Sequence, residues 1–119
     1  MIALGNRVHI FVRPRFKDRL SSCMKDVLGC DGPISLKAPG LSEPILAWNF
    51  PNGGSLSAEF TDDALDEPQA RRGCWLEIKA ADPAVITKKL REAGLPEVTY
   101  LGNDYFVLPG GQVVRVAPA

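Results

Sequence analysis

The sequence predicts an α+β fold of two βαβββ modules forming a curled mixed sheet around a cleft, with one helix per module. Three observations lead there. The order strand, helix, three strands occurs twice; a Gly-Gly turn at 53 and 54 recurs at 110 and 111; and a helix stop at Gly29 recurs at Gly94. A length of 119 residues suits one domain, with a first module over 6–60, a linker over 61–71 and a second module over 72–117.

The first strand, over 7–13, alternates Val8, Ile10 and Val12 with His9, Phe11 and Arg13, giving one apolar and one mixed face. Pro14 closes it. Phe16, Leu20, Cys23, Met24, Val27 and Leu28 then recur at helical spacing. A weak strand over 34–37 precedes the Pro39-Gly40 turn, and a stronger one over 45–50 carries Trp48, whose face the sequence leaves open. Pro51-Asn52-Gly53-Gly54 is a hairpin signal, after which Leu56, Ala58 and Phe60 alternate with Ser55, Ser57 and Glu59.

Between the modules, Asp62, Asp63, Asp66 and Glu67 read as a solvated linker in preference to a site for a hard cation. The second module opens with Leu76 and Ile78 alternating with Trp75, Glu77 and Lys79. Asp82 and Pro83 supply a cap and first-turn proline for a helix whose apolar face is Val85, Ile86, Leu90 and Ala93. Strands over 98–101, 104–108 and 112–117 complete the repeat.

Composition narrows the function classes. Hydrophobic residues make up 45% and charged residues 24%, which is ordinary for a folded domain. Fourteen basic residues balance fourteen acidic ones and are spread along the chain, so no nucleic-acid partner is expected. No apolar stretch is long enough to span a membrane and residues 1–7 lack a signal-peptide core, so the expected location is cytoplasmic. The three cysteines, Cys23, Cys30 and Cys74, match no zinc spacing and are expected to be reduced, with Cys23 buried.

Taken together, several stretches resemble the vicinal-oxygen-chelate superfamily, which includes glyoxalase I, bleomycin-resistance proteins and extradiol dioxygenases. They are His9 with its alternating strand, the Asp26-Val27-Leu28-Gly29 helix end, Trp75-Leu76-Glu77-Ile78, the Leu90-Arg91-Glu92-Ala93-Gly94-Leu95 helix end, and the closing hairpin around Pro109-Gly110-Gly111. The resemblance implies four ligand positions in metal-bearing members, one on the first and one on the last strand of each half. In this sequence they fall on His9 and Glu59, then on Trp75 and Arg115. An indole and a guanidinium are not normal metal ligands, and the guanidinium repels a cation. Glu59 lies five residues after Gly54 whereas Arg115 lies four after Gly111, so the match calls for a bulge in the first hairpin.

The expected cleft face carries His9, Phe11, Arg13, Ser57 and Glu59 from the first half, with Trp75, Glu77, Lys79, Val113 and Arg115 from the second. Aromatic surface with a few polar groups suits a small organic ligand, aromatic or anionic. Arg115 either grips a carboxylate or phosphate of that ligand or, the preferred expectation, pairs with Glu59 or Glu77. His9 is equally a ligand contact and a strand residue bonded to a neighbour. The resemblance implies a metal-free small-molecule binding protein of glyoxalase and bleomycin-resistance type, with no cofactor and no assigned catalytic residue, assembled as a homodimer. The alternative is a metal-dependent lyase, isomerase or dioxygenase that uses His9 and Glu59 as a partial ligand set.

Overall fold

In the computed structural model, which describes residues 1–119, each expected strand has a counterpart. The first half consists of β1 (Arg7–Val12), α1 (Lys17–Ser22), β2 (Asp31–Leu36), β3 (Ile45–Asn49) and β4 (Ser55–Phe60). A short helix, α2 (Glu67–Ala70), interrupts the segment expected to be an irregular linker. Asp66 caps it by accepting a hydrogen bond from the Glu67 amide, and Pro68 lies in its first turn. The second half comprises β5 (Trp75–Ala80), α3 (Pro83–Glu92), β6 (Glu97–Tyr100), β7 (Asn103–Val107) and β8 (Val113–Pro118).

The eight strands divide into two four-stranded sheets of identical topology, β1-β4-β3-β2 and β5-β8-β7-β6. In each, the first strand runs parallel to the last, and the other pairs are antiparallel. This is a mixed-sheet α+β architecture with one principal helix per half.

Local chemistry modifies the helices. The helical pattern over 16–28 is realised in three parts: a tight turn at Pro14–Phe16, α1, and a wider turn in which the Leu28 amide reaches back five residues to the Cys23 carbonyl. Gly29, at φ +69°, ends it. Asp82 sits at the cap position of α3 as expected, with Pro83 in the first turn, yet its side chain accepts no capping bond.

The alternating pattern decides which face is buried. Val12, Leu56, Ala58, Phe60, Leu46 and Trp48 turn inward from the first sheet, and Phe106 and Val114 from the second. Leu20 and Met24 from the first helical segment and Leu90 from α3 lie between, so a single core of 17 buried residues joins both halves. The two sheets therefore share a common back, and their mixed faces point outward. No helix is long and apolar enough to cross a membrane.

Candidate functional site

The first mixed face is built by β1 and β4. His9 lies beside Ser57 and Phe11 beside Glu59 in the parallel register. The imidazole is held from two sides: Nδ1 is 2.6 Å from Ser57 Oγ and Nε2 is 3.6 Å from Glu59 Oε1. The Phe11 ring packs edge-on against His9 with centroids 5.1 Å apart. Hydroxyl, imidazole and carboxylate thus form one connected polar row beside a phenylalanine that is 56% exposed.

Arg13 is not part of that row. The strand ends at Val12 and Pro14 starts a turn, which removes Arg13 from the alternation, and its Nε donates instead to the Ala64 carbonyl in the linker.

The second mixed face is built by β5, β8 and β7. Trp75 lies beside Val113, Glu77 beside Arg115 and Lys79 beside Ala117. Trp75 meets Tyr105 edge-on at 5.4 Å, and Tyr105 meets Tyr100 at 6.1 Å, so three rings form a continuous aromatic strip. The expected pairing of Arg115 with Glu59 or Glu77 is not made. Arg115 Nη2 donates to Asn103 Oδ1 at 3.1 Å. Glu59 lies on the other sheet, and an exposed ion pair with Glu77 gains too little in water to outweigh a well-placed amide acceptor. Tyr100, Asn103 and Tyr105 were missed as site residues. Their signal was the period of two in β7, which puts Asn103 and Tyr105 on the face that bears Arg115.

β4 keeps an unbroken register against both neighbours, so the first hairpin contains no bulge. Both hairpins close on the same five-residue turn: the Phe50 amide donates to the Gly54 carbonyl and the Leu108 amide to the Gln112 carbonyl, next to the Asn49–Ser55 and Val107–Val113 pairs. Counted from these turns, Ser57 stands level with Arg115, and Glu59 lies two residues further along its strand. The equivalence of Glu59 and Arg115 is thus what the family resemblance implies and not what the turns give.

Within one chain the two faces do not meet. All side-chain partners of His9 belong to the first half and those of Trp75 and Arg115 to the second. A concavity of about 570 Å³ lies elsewhere, between the backs of the sheets, where Val8 and Leu56 face Leu76, Ile78 and Val114. Of the candidate residues only Glu77 and Lys79 border it.

A divalent metal fits these residues poorly. The first half offers one imidazole and one carboxylate; the second-half positions that the resemblance implies, Trp75 and Arg115, are an indole and a guanidinium. No cluster of three or more His, Cys, Asp or Glu residues is arranged to hold a metal ion. Catalytic metal sites ordinarily have three protein ligands.

No protein-family model matches the sequence, and no curated protein matches it. Solved structures do match in fold. A glyoxylase/bleomycin resistance protein/dioxygenase domain from Frankia sp. EAN1pec has 14% identity and a TM-score of 0.77, over 100% of this chain and 99% of that one. The fosfomycin resistance protein FosX from Listeria monocytogenes, complexed with Mn(II) and 1S,2S-dihydroxypropylphosphonic acid, has 11% identity and a TM-score of 0.73, over 100% and 94%. TnmS3, an antibiotic binding protein from Streptomyces sp. CB03234, has 15% identity and a TM-score of 0.69, over 99% and 98%. The chain has the fold of the vicinal-oxygen-chelate superfamily, as the sequence resemblance implied.

Proposed function

We propose that this chain is a metal-free small-molecule binding protein of the glyoxalase and bleomycin-resistance type. A single observation carries the reading: at the two second-half positions where the resemblance implies metal ligands stand an indole, Trp75, and a guanidinium, Arg115, which the Asn103 amide holds at 3.1 Å. One half has the donor chemistry of a metal site; the other has an aromatic platform and a fixed cation. The antibiotic binding by TnmS3 supports this type of function.

The ligand is an aromatic compound with a carboxylate or phosphate. Its ring lies against Trp75, and its anionic group meets Arg115, whose guanidinium Asn103 orients. The expected stacking on Phe11 as well is not available within one chain, since Phe11 lies on the other face. A cytoplasmic location and a homodimer belong to the same reading. The dimer follows from the two outward faces, each of which carries large exposed apolar side chains that a partner covers.

The second reading, a metal-dependent lyase, isomerase or dioxygenase, draws on the 3.6 Å approach of His9 to Glu59 and on the Mn(II) bound by FosX. A thermal melt of EDTA-stripped protein separates the two. Under the metal-free reading, excess manganese, nickel, zinc or ferrous ion leaves the midpoint unchanged, because an ion that binds only the native state would raise it. A clear upward shift, abolished in His9→Ala and Glu59→Ala, overturns the metal-free reading in favour of the enzyme.

A further inference from the structure

We infer that residues 1–5, the segment leading into β1, close as a strap over the groove between the two halves and add a short strand to the free edge of β5.

The lining of the groove reveals what it presents. Residues 76–81 border it without a gap. A strand that offered one face would contribute every second residue, so an unbroken run means that the edge of β5, with its backbone, faces the groove. β5 pairs with β8 on one side and with no strand on the other. Its outer amides and carbonyls are therefore an open template for a further strand. Residues 50–56 of the first hairpin also line the groove, together with the buried apolar side chains of Met24, Leu28 and Leu108.

The segment leading into β1 has the chemistry of the missing strand. Ile2 and Leu4 are fully exposed, two large apolar side chains with no cover in the open form seen here. They alternate with Ala3, so an extended segment turns both to one side and a small residue to the other. None of residues 2–5 is proline, so every amide can donate to a ladder. The root of the segment is at the rim: Asn6 borders the groove, and its carbonyl accepts from the Ser55 amide at 3.1 Å. Gly5 supplies the bend, since glycine has the widest choice of backbone angles and no atom lies within 4 Å of where its Cβ would stand. Extended from that hinge, residues 1–4 reach about 13 Å, the length of four residues of β5 at roughly 3.3 Å each.

Closure buries Ile2 and Leu4 against the apolar lining and pairs backbone groups that only water satisfies in the open form. The occupant is the chain's own segment, because a root fixed at the rim gives it an effective concentration of about 1 mM or more, well above that of free copies.

A nitroxide on Ala3→Cys tests the strap, in a Cys74→Ser background so that no other exposed thiol competes. Ala3 faces away from the groove in the closed form, so the label does not obstruct it. In isotope-labelled protein that carries the nitroxide, the amide signals of residues 52–54 and 76–81 should broaden. They should sharpen again when Ile2→Asp and Leu4→Asp are added. A mixture with the nitroxide and the isotope on different chains should show no broadening. Broadening in that mixture would mean that the segment reaches a second copy, and it overturns the inference, as does an absence of broadening at residues 76–81 in the first sample.

Amide exchange in the protein without a label gives a second readout. The β5 amides that face the groove should exchange about tenfold faster in Ile2→Asp/Leu4→Asp than in the wild type. Both substitutions are at exposed side chains, so the open form keeps its fold. Equal exchange in the two proteins also overturns the inference.

Discussion

His9 and Glu59 approach one another across β1 and β4, Nε2 to Oε1 at 3.6 Å, whereas Arg115 on the second face is held by the Asn103 amide at 3.1 Å. The two halves keep one topology and differ in chemistry. The first face keeps a hydroxyl, imidazole and carboxylate in contact; the second has three aromatic rings and a cation held by an amide.

That division predicts separable effects of removing Trp75. The indole is half exposed and its recorded aromatic contact is the edge of Tyr105, so Trp75→Ala should change stability by less than about 1 kcal/mol. An aromatic carboxylate that binds the wild type should bind this variant about tenfold more weakly, through loss of stacking area and ring–ring attraction. Titration calorimetry measures the affinity and thermal melting the stability. A large loss of stability with affinity unchanged would make Trp75 a packing residue.

Leu90 tests whether the halves form one cooperative unit. It is fully buried on α3 and belongs to the core that Leu20 and Met24 enter from the other half. Leu90→Ala should cost about 2–5 kcal/mol by lost transfer energy and a residual cavity. Calorimetry should show one transition moved to lower temperature. A split into two transitions would mean that the halves unfold separately and share less core than their packing implies.

Strand identity and the repeated order were legible because apolar residues alternate cleanly: Val8, Ile10 and Val12, or Leu56, Ala58 and Phe60. Period two also identified the outward residues His9, Phe11, Ser57, Glu59, Trp75, Glu77 and Arg115. What the pattern could not carry was the relation between the sheets. Alternation says which side of a strand is apolar, and is silent on whether two apolar sides share a core or lie apart. Arg13 shows a second limit, because an alternation extended one residue past the strand end put it on a face that its backbone never reaches. The partner of Arg115 was missed because Asn103 is twelve residues away on another strand, and an amide acceptor leaves no charge signature in a sequence.

The turns make a sharper prediction about glycine. Gly111 has φ +107°, and a Cβ there would come within 2.6 Å of the Ala70 Cβ and 2.9 Å of the Glu67 carbonyl oxygen. The second hairpin therefore packs directly on α2. Gly29 has φ +69° and nothing within 4 Å of where a Cβ would stand. Gly29→Ala should cost about 1 kcal/mol, the conformational term alone. Gly111→Ala adds a backbone clash and should cost roughly 2–4 kcal/mol, enough to lower the melting midpoint by about 8 °C or more. Equal losses in the two variants would mean that α2 yields freely, and that its contact with the hairpin holds nothing in place.

The cysteines give a prediction in pH. Burial, with a smaller contribution from Cys30, pushes the Cys23 thiol from its usual 9.0 up to about 11. Cys30 is also pushed up to about 11, by burial first and then by Asp31. The unfolded chain therefore loses these protons near pH 9 while the native state holds them to about pH 11. Above pH 9 the native state binds more protons than the unfolded one, so its stability falls as pH rises, and the loss levels off above about 11. Below pH 9 both states are protonated and the thiols impose no pH dependence. Urea melts between pH 8 and 11 should show this decline, and Cys23→Ala should flatten it relative to wild type. The same burial sets reactivity, since attack requires an accessible thiolate. At pH 8 a thiol reagent should modify exposed Cys74 quickly and reach Cys23 and Cys30 only on unfolding. Rapid modification of all three in native protein would show that the core opens far more often than its packing allows.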